Sequence, residues 1–134
     1  MRRSILSCTA LLASLAFLPA IATAGEKTLM HCFAFTEIEA ATDADWNAFM
    51  KVTSELPEKI EGLERVWVGK LKRPLRQFGR NKDEPMLRQS GVCMEMAGEA
   101  ALQAYAKHPA HAEWSKAYEK VRVPGTTTFD IIGH

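Results

Sequence analysis

One tyrosine and two histidines lie close together in the segment YAKHPAH, which begins at Tyr105. Proline is favoured at the first position of a helix, so Pro109 predicts that a helix begins there and that His111 lies in its first turn. The positive end of a helix disfavours imidazolium, so His111 is expected to be neutral, the form that a general base needs. Tyr105, at the end of the preceding helix, would offer its phenol to a carbonyl or enolate oxygen. Asp130, in the last predicted strand, would fix the tautomer of the histidine.

A purely structural role explains the same segment. In that alternative His108 caps the helix, His111 satisfies a buried backbone group, and Tyr105 is a core residue whose hydroxyl reaches the rim. The sequence alone leaves both interpretations open.

Other site chemistries find little support in this sequence. The four histidines are scattered, and the sequence contains neither an HExxH nor a CxxC motif, so no metal site is predicted. The sequence also contains no P-loop, no dinucleotide-binding glycine pattern and no nucleophile elbow. No cofactor is expected. Cys32 lies in the middle of a predicted strand with no activating partner, which favours a structural role.

Hydrophobic periodicity and turn residues predict the elements that would position these side chains. Strands are expected at 27–35, 63–71, 89–96 and 126–132, and helices at 42–56, 99–107 and 109–121, with one further turn at 58–61 and a left-handed stop at Gly62. The order βαββαβ, with a broken second helix, predicts an α+β, ferredoxin-like fold with a four-stranded antiparallel sheet. Both helices would cover one sheet face. The other face carries alternating apolar residues, so a second copy is expected to cover it and form a homodimer.

Six basic residues lie between positions 72 and 88, where prolines, glycines and charges predict a long exposed loop. They are Lys72, Arg73, Arg76, Arg80, Lys82 and Arg88. Such a cluster would suit an anion site, but solvated charge is the commoner explanation.

Residues 1–24 have the three-part layout of a secretory signal peptide: Arg2 and Arg3, an apolar run, and a small-x-small site ending at Ala24. Residues 25–134 would form a single domain, exported to the periplasm or secreted, with no membrane anchor after processing. Its net charge is close to zero, which gives no indication of nucleic-acid binding.

Cys32 and Cys93 would meet an oxidising compartment after export. The ferredoxin-like strand order places the first and third strands side by side. Because parallel neighbours seldom align two cysteines well enough for a bond, two packed thiols are expected.

Several parts of the chain together resemble the stress-responsive A/B barrel, or Dabb, domains. The matching parts are the YxxHPxH pattern at 105–111, His31 followed four residues later by Phe35, Ile60-x-Gly62-Leu63 ahead of a strand ending at Gly69, and Asp130. The resemblance implies a ferredoxin-like protomer that pairs sheet to sheet into an α+β barrel. It also implies that, as in the polyketide-cyclase branch, Tyr105 and His111 would serve as acid and base.

Three functional hypotheses follow. The first is an exported Dabb-type dimer that binds a small apolar or aromatic molecule in the barrel interior. Its lining residues would be His31, Phe33, Phe35 and Trp67. The second is an enzyme of the cyclase or isomerase type, with His111 as base and Tyr105 as acid. The third is a non-catalytic stress or assembly protein.

Overall fold

The computed structural model describes residues 27–78 and 85–133, so the predicted signal peptide lies outside the described residues. Along the chain the elements are β1 (Leu29–Phe35), α1 (Asp43–Ser54), α2 (Leu56–Lys59), β2 (Leu63–Phe78), β3 (Pro85–Met96), α3 (Glu99–Lys107), α4 (Pro109–Tyr118) and β4 (Thr127–Ile132). The strands form one sheet in the order β2-β3-β1-β4, and all neighbouring strands are antiparallel. The ferredoxin-like arrangement predicted from the sequence is therefore confirmed. Among the described residues no helix is long and apolar enough to cross a membrane.

The helices pack on one face of the sheet through an aromatic core. Helix α1 begins at a capping box, in which the side chains of Thr42 and Asp45 each accept from the other's backbone N–H. Phe49 and Thr53, one turn apart on α1, are fully buried. The Thr53 hydroxyl accepts a hydrogen bond of 2.9 Å from the indole N–H of Trp114, which joins α1 to α4. This contact holds α4 in a fixed position above the sheet.

Gly62 turns the chain from α2 into β2. Its φ of +81° lies in the left-handed region, as its predicted role as a helix stop requires. A Cβ at this position would also come within 2.7 Å of the Ala101 Cβ, so no other residue fits without a shift of α3.

The prediction of a long loop over residues 72–88 is wrong, because β2 continues to Phe78 and β3 already begins at Pro85. The register of β2 against β3 shifts between Lys70 and Leu75. Pro74 lies within this irregularity, where no ladder hydrogen bond is required of it. The two strands form an exposed ribbon, whose many charges conceal the alternation that usually reveals a strand. Arg88 departs from this pattern, because its side chain is only 3% exposed.

The expectation of two free thiols is also contradicted. Strands β1 and β3 are antiparallel, not parallel, and their register pairs Cys32 directly with Cys93. Their Cα atoms are 4.1 Å apart and the two sulfurs are bonded, close to the spacing of about 4.5 Å typical of a non-hydrogen-bonded antiparallel pair. The disulfide lies on the sheet face opposite the helices, in a row with Trp67 on β2 and Phe129 on β4. We call this face the open face.

Candidate functional site

A histidine–aspartate pair joins the two strands at the β4 edge of the sheet. The register places His31 on β1 opposite Asp130 on β4. The Nδ1 atom of His31 is 2.6 Å from the Oδ1 atom of Asp130. Because an ionised carboxylate only accepts hydrogen bonds, Nδ1 carries the hydrogen and, in the neutral ring, Nε2 is left as the acceptor.

The break between α3 and α4 brings Tyr105 and His111 against this pair. His108 forms the break, because its Nδ1 accepts a hydrogen bond of 3.1 Å from the N–H of Ala110 and so caps α4. The rings of Tyr105 and His111 lie 4.4 Å apart, and the Tyr105 ring is 6.0 Å from that of His31. Two imidazoles and a phenol therefore converge at one point on the helix side of the sheet.

Burial sets the protonation of both helical residues. It lowers the pKa of His111, an effect that the nearby His31 reinforces and that a 3.3 Å contact with the Ala106 carbonyl opposes. Burial also raises the pKa of the Tyr105 phenol well above its ordinary value. Near pH 7 the site therefore offers a neutral imidazole beside a protonated phenol. A neutral His111 was predicted from its position at the helix end, whereas the larger cause is the loss of solvent around the ring.

These residues border a cavity of about 140 Å³ between the sheet and the helices, which we call the helix-face cavity. Its lining residues are His31, Phe33, Tyr105, His111, Trp114, Tyr118, Thr126 and Thr128. Sequence reasoning missed the last four. The spacing of His111, Trp114 and Tyr118, three and then four residues apart, is a helical face that would have revealed two of them.

The residues predicted to line one ligand pocket do not all meet. His31 and Phe33 border the helix-face cavity, but Phe35 is fully buried in the core against Phe49. Trp67 lies on the open face, 46% exposed, beside a depression of about 470 Å³. Asp130 orients His31 and not His111, because the strand register places it opposite His31.

A metal centre has no basis in the described part of the chain. Within residues 27–78 and 85–133, no three His, Cys, Asp or Glu side chains are placed to hold an ion. The chemistry available in the helix-face cavity is hydrogen bonding and proton transfer by the imidazoles and the phenol.

No protein-family model matches the sequence, and no curated protein matches it significantly. Solved structures do match. A Dabb family protein with a ferredoxin-like fold from Mesorhizobium loti is 20% identical, with a TM-score of 0.56 over 81% of this chain and 99% of that one. The chain shares the ferredoxin-like fold of that protein.

Two further solved structures are similar to this chain. A dimeric ferredoxin-like protein of unknown function from Thermobifida fusca is 17% identical, with a TM-score of 0.59 over 80% of this chain and 92% of that one. A hydroxynitrile lyase from Passiflora edulis is 9% identical, with a TM-score of 0.59 over 81% of this chain and 94% of that one. At these identities the fold is shared, and fold alone does not determine activity.

Proposed function

We propose that this protein binds a small aromatic or apolar molecule in the helix-face cavity and directs an oxygen of that molecule toward Tyr105 and His111. The observation that carries the proposal is the convergence of two imidazoles and a phenol in a cavity whose other lining residues are three aromatic side chains and two threonines. Ligand sites combine apolar walls with a few convergent polar groups in this way.

The size of the cavity limits the ligand. In another protein an apolar cavity of about 150 Å³ accepts benzene, and this cavity measures about 140 Å³. A single ring with a short substituent is therefore the expected size. The rings of Phe33 and Trp114, 5.5 Å apart, supply aromatic surface for it.

Titration with acetophenone, a single ring carrying a carbonyl, tests the proposal by NMR. Two of the three tryptophans distinguish the two possible locations, because Trp114 borders the helix-face cavity and Trp67 borders the depression on the open face. We expect the indole signal of Trp114 to shift and that of Trp67 to stay. Binding that moves only Trp67 would contradict the proposal and favour the barrel interior.

Tyr105→Phe removes the hydroxyl and keeps the ring. Loss of one hydrogen bond of about 0.5–1.5 kcal/mol should weaken acetophenone binding by roughly 2- to 12-fold. His108→Asn is the matched control, because asparagine is also a good helix cap and His108 does not border the cavity. Equal affinity in the parent and Tyr105→Phe would exclude the phenol from binding.

An enzyme of the cyclase or isomerase type is the second candidate. The neutral His111 and the protonated Tyr105 favour it, since a base and an acid are then present together near pH 7. The hydroxynitrile lyase shows that the fold accommodates catalysis in another protein. If this chain turns over a substrate, His111→Ala should lower the rate by on the order of a hundredfold or more. A variant that keeps the parent rate would leave binding as the function.

We further propose that the chain acts as an exported homodimer paired through its open face. The apolar row on that face and the dimeric neighbours support pairing, and the Cys32–Cys93 bond supports an oxidising compartment. Intact mass of protein from the native host should show a chain that begins at Gly25. A chain that still carries residues 1–24 would contradict export with removal of a signal peptide.

A further inference from the structure

Two arginines lie beside the end of the helix-face cavity that is farthest from His31. At that end the Tyr118 hydroxyl and the Thr126 hydroxyl are hydrogen-bonded at 3.0 Å. The guanidinium carbon of Arg122 lies 4.7 Å from the centre of the Tyr118 ring. Arg88 approaches from the sheet. Its Nη2 atom lies 3.6 Å from the position that a Cβ on Gly125 would occupy. Gly125 directly precedes Thr126, so both arginines adjoin this hydrogen bond.

Arg88 is a buried charge without a carboxylate partner in the described chain. Its side chain is 3% exposed, and its two recorded hydrogen bonds, both of 3.1 Å, go to the neutral side-chain oxygens of Thr36 and Gln77. Its Nε is buried, and none of the described residues provides an acceptor for it. A guanidinium does not lose its proton in proteins, and a buried charge without a counter-ion is strongly unfavourable. The unpaired charge of Arg88 therefore favours the binding of an anion.

Arg122, packed against the Tyr118 ring, repeats this feature. Its Nε is also buried with no acceptor among residues 27–78 and 85–133, and its ion pair with Glu119 is long, at 4.0 Å. The positive charges of both arginines reach the Tyr118 phenol, where they oppose the rise in pKa that burial causes. Two guanidinium groups whose charges are incompletely paired thus lie near the same end of the helix-face cavity.

The opposite end of the cavity disfavours an anion. Asp130 lies there with its carboxylate on His31. Asp130 lies four positions after Thr126, which corresponds to about 13 Å of extended chain. A negative group is therefore attracted at the Thr126 end and repelled at the Asp130 end, so a bound ligand has a single favoured direction.

We propose that the ligand of this cavity carries a carboxylate, which Arg88 and Arg122 bind beside Tyr118 and Thr126, while the rest of the molecule extends toward Tyr105 and His111. This inference rests on the proposed function and deepens it, because it names the substrate class as small aromatic or apolar carboxylic acids. The planar fork of a guanidinium matches the two oxygens of a carboxylate.

Benzoate and benzamide test the proposal, because the two differ mainly in charge. Both are titrated into the full chain at constant ionic strength and followed through the Trp114 signal. We expect benzoate to bind at least tenfold more tightly than benzamide. We expect Arg122→Gln to weaken benzoate binding about tenfold and to leave benzamide within twofold. Arg65→Gln is the matched control, because Arg65 lies on the open face paired with Glu95.

Arg88→Gln should have the same effect as Arg122→Gln, and Arg88→Lys should restore part of the benzoate preference if Arg88→Gln does not fold. Equal affinity for benzoate and benzamide in the parent, or a benzoate preference that survives undiminished in Arg122→Gln, would overturn the carboxylate assignment. If acetophenone binds at Trp114 and benzoate does not, the carboxylate assignment fails and the proposed cavity function stands. If benzoate alone binds, the carboxylate assignment stands and the neutral ligand class is excluded.

Discussion

The Nδ1 atom of His31 lies 2.6 Å from a carboxylate oxygen of Asp130, across the pairing of β1 with β4. The contact fixes both the orientation of the imidazole and the nitrogen that carries its hydrogen. Because the His31 ring is also packed 6.0 Å from Tyr105, one sheet residue and one helix residue are held in a defined relation across the cavity.

Asp130→Asn should release this control of His31. The pair is partly exposed, with 18% and 42% of the two side chains accessible, so the free energy of unfolding should fall by less than about 1 kcal/mol. Ring ¹⁵N shifts should nevertheless show less of the Nδ1–H tautomer. Glu95→Gln, which removes a similar ion pair on the open face, should leave the His31 shifts unchanged. An unaltered tautomer in Asp130→Asn would show that packing alone orients His31.

The depressed pKa of His111 predicts a pH dependence of stability. In the unfolded chain this histidine titrates near its ordinary value of 6.5, and in the folded protein it titrates lower. Between these two values only the unfolded state takes up the proton. The contribution of His111 to the free energy of unfolding is therefore fully present above pH 6.5 and falls as the pH drops toward the pKa of the folded state.

Urea unfolding of the parent and of His111→Gln, measured across pH 5–8, isolates this contribution. The difference in unfolding free energy between the two should shrink as the pH falls below 6.5. A difference that stays constant over the whole range would mean that His111 titrates alike in both states.

The fold was predictable because its signals are local. The start of α1 after Thr42, the left-handed stop at Gly62 and the proline that opens α4 all lie where the sequence predicts them. The ribbon formed by the ends of β2 and β3 was not predictable in the same way. Its side chains are mostly solvent-exposed on both faces, so no apolar alternation marks it as strand.

The site was only partly predictable because it depends on strand register. Tyr105 and His111 are near in sequence and were expected together, and they do meet. The pairing of His31 with Asp130 joins residues 99 positions apart, and local pattern carries no information about it. The bond of Cys32 to Cys93 was missed for the same reason, because it follows from strand direction.

The disulfide gives a direct thiol prediction. A chain beginning at Gly25 should show no free thiol when unfolded without reductant, and two after reduction. Reduction should lower the free energy of unfolding by about 2–4 kcal/mol, because the bond closes a long loop. The Cys32→Ser/Cys93→Ser variant should match the reduced parent in stability. Two free thiols before reduction would contradict the bond.

Pairing through the open face predicts that Trp67→Glu yields a monomer. The parent should scatter light as a dimer at micromolar concentration, since burial of the apolar row stabilises association. Met50→Glu is a close control, because Met50 on α1 is 43% exposed and Trp67 is 46% exposed. It should leave the dimer intact. A monomeric parent, or dissociation caused equally by both variants, would contradict this mode of pairing.

The bond between the first and third strands also determines how the chain responds to force. Stretched from its two ends, the oxidised molecule transmits tension through the sulfur–sulfur link, and the 61-residue span from Cys32 to Cys93 is shielded from the load. Only the short tail before β1 and the segment after β3 can then lengthen. A reducing agent would release about 200 Å of additional contour length, at roughly 3.4 Å per residue. A single-molecule extension trace would thus report the redox state of the compartment from which the protein came.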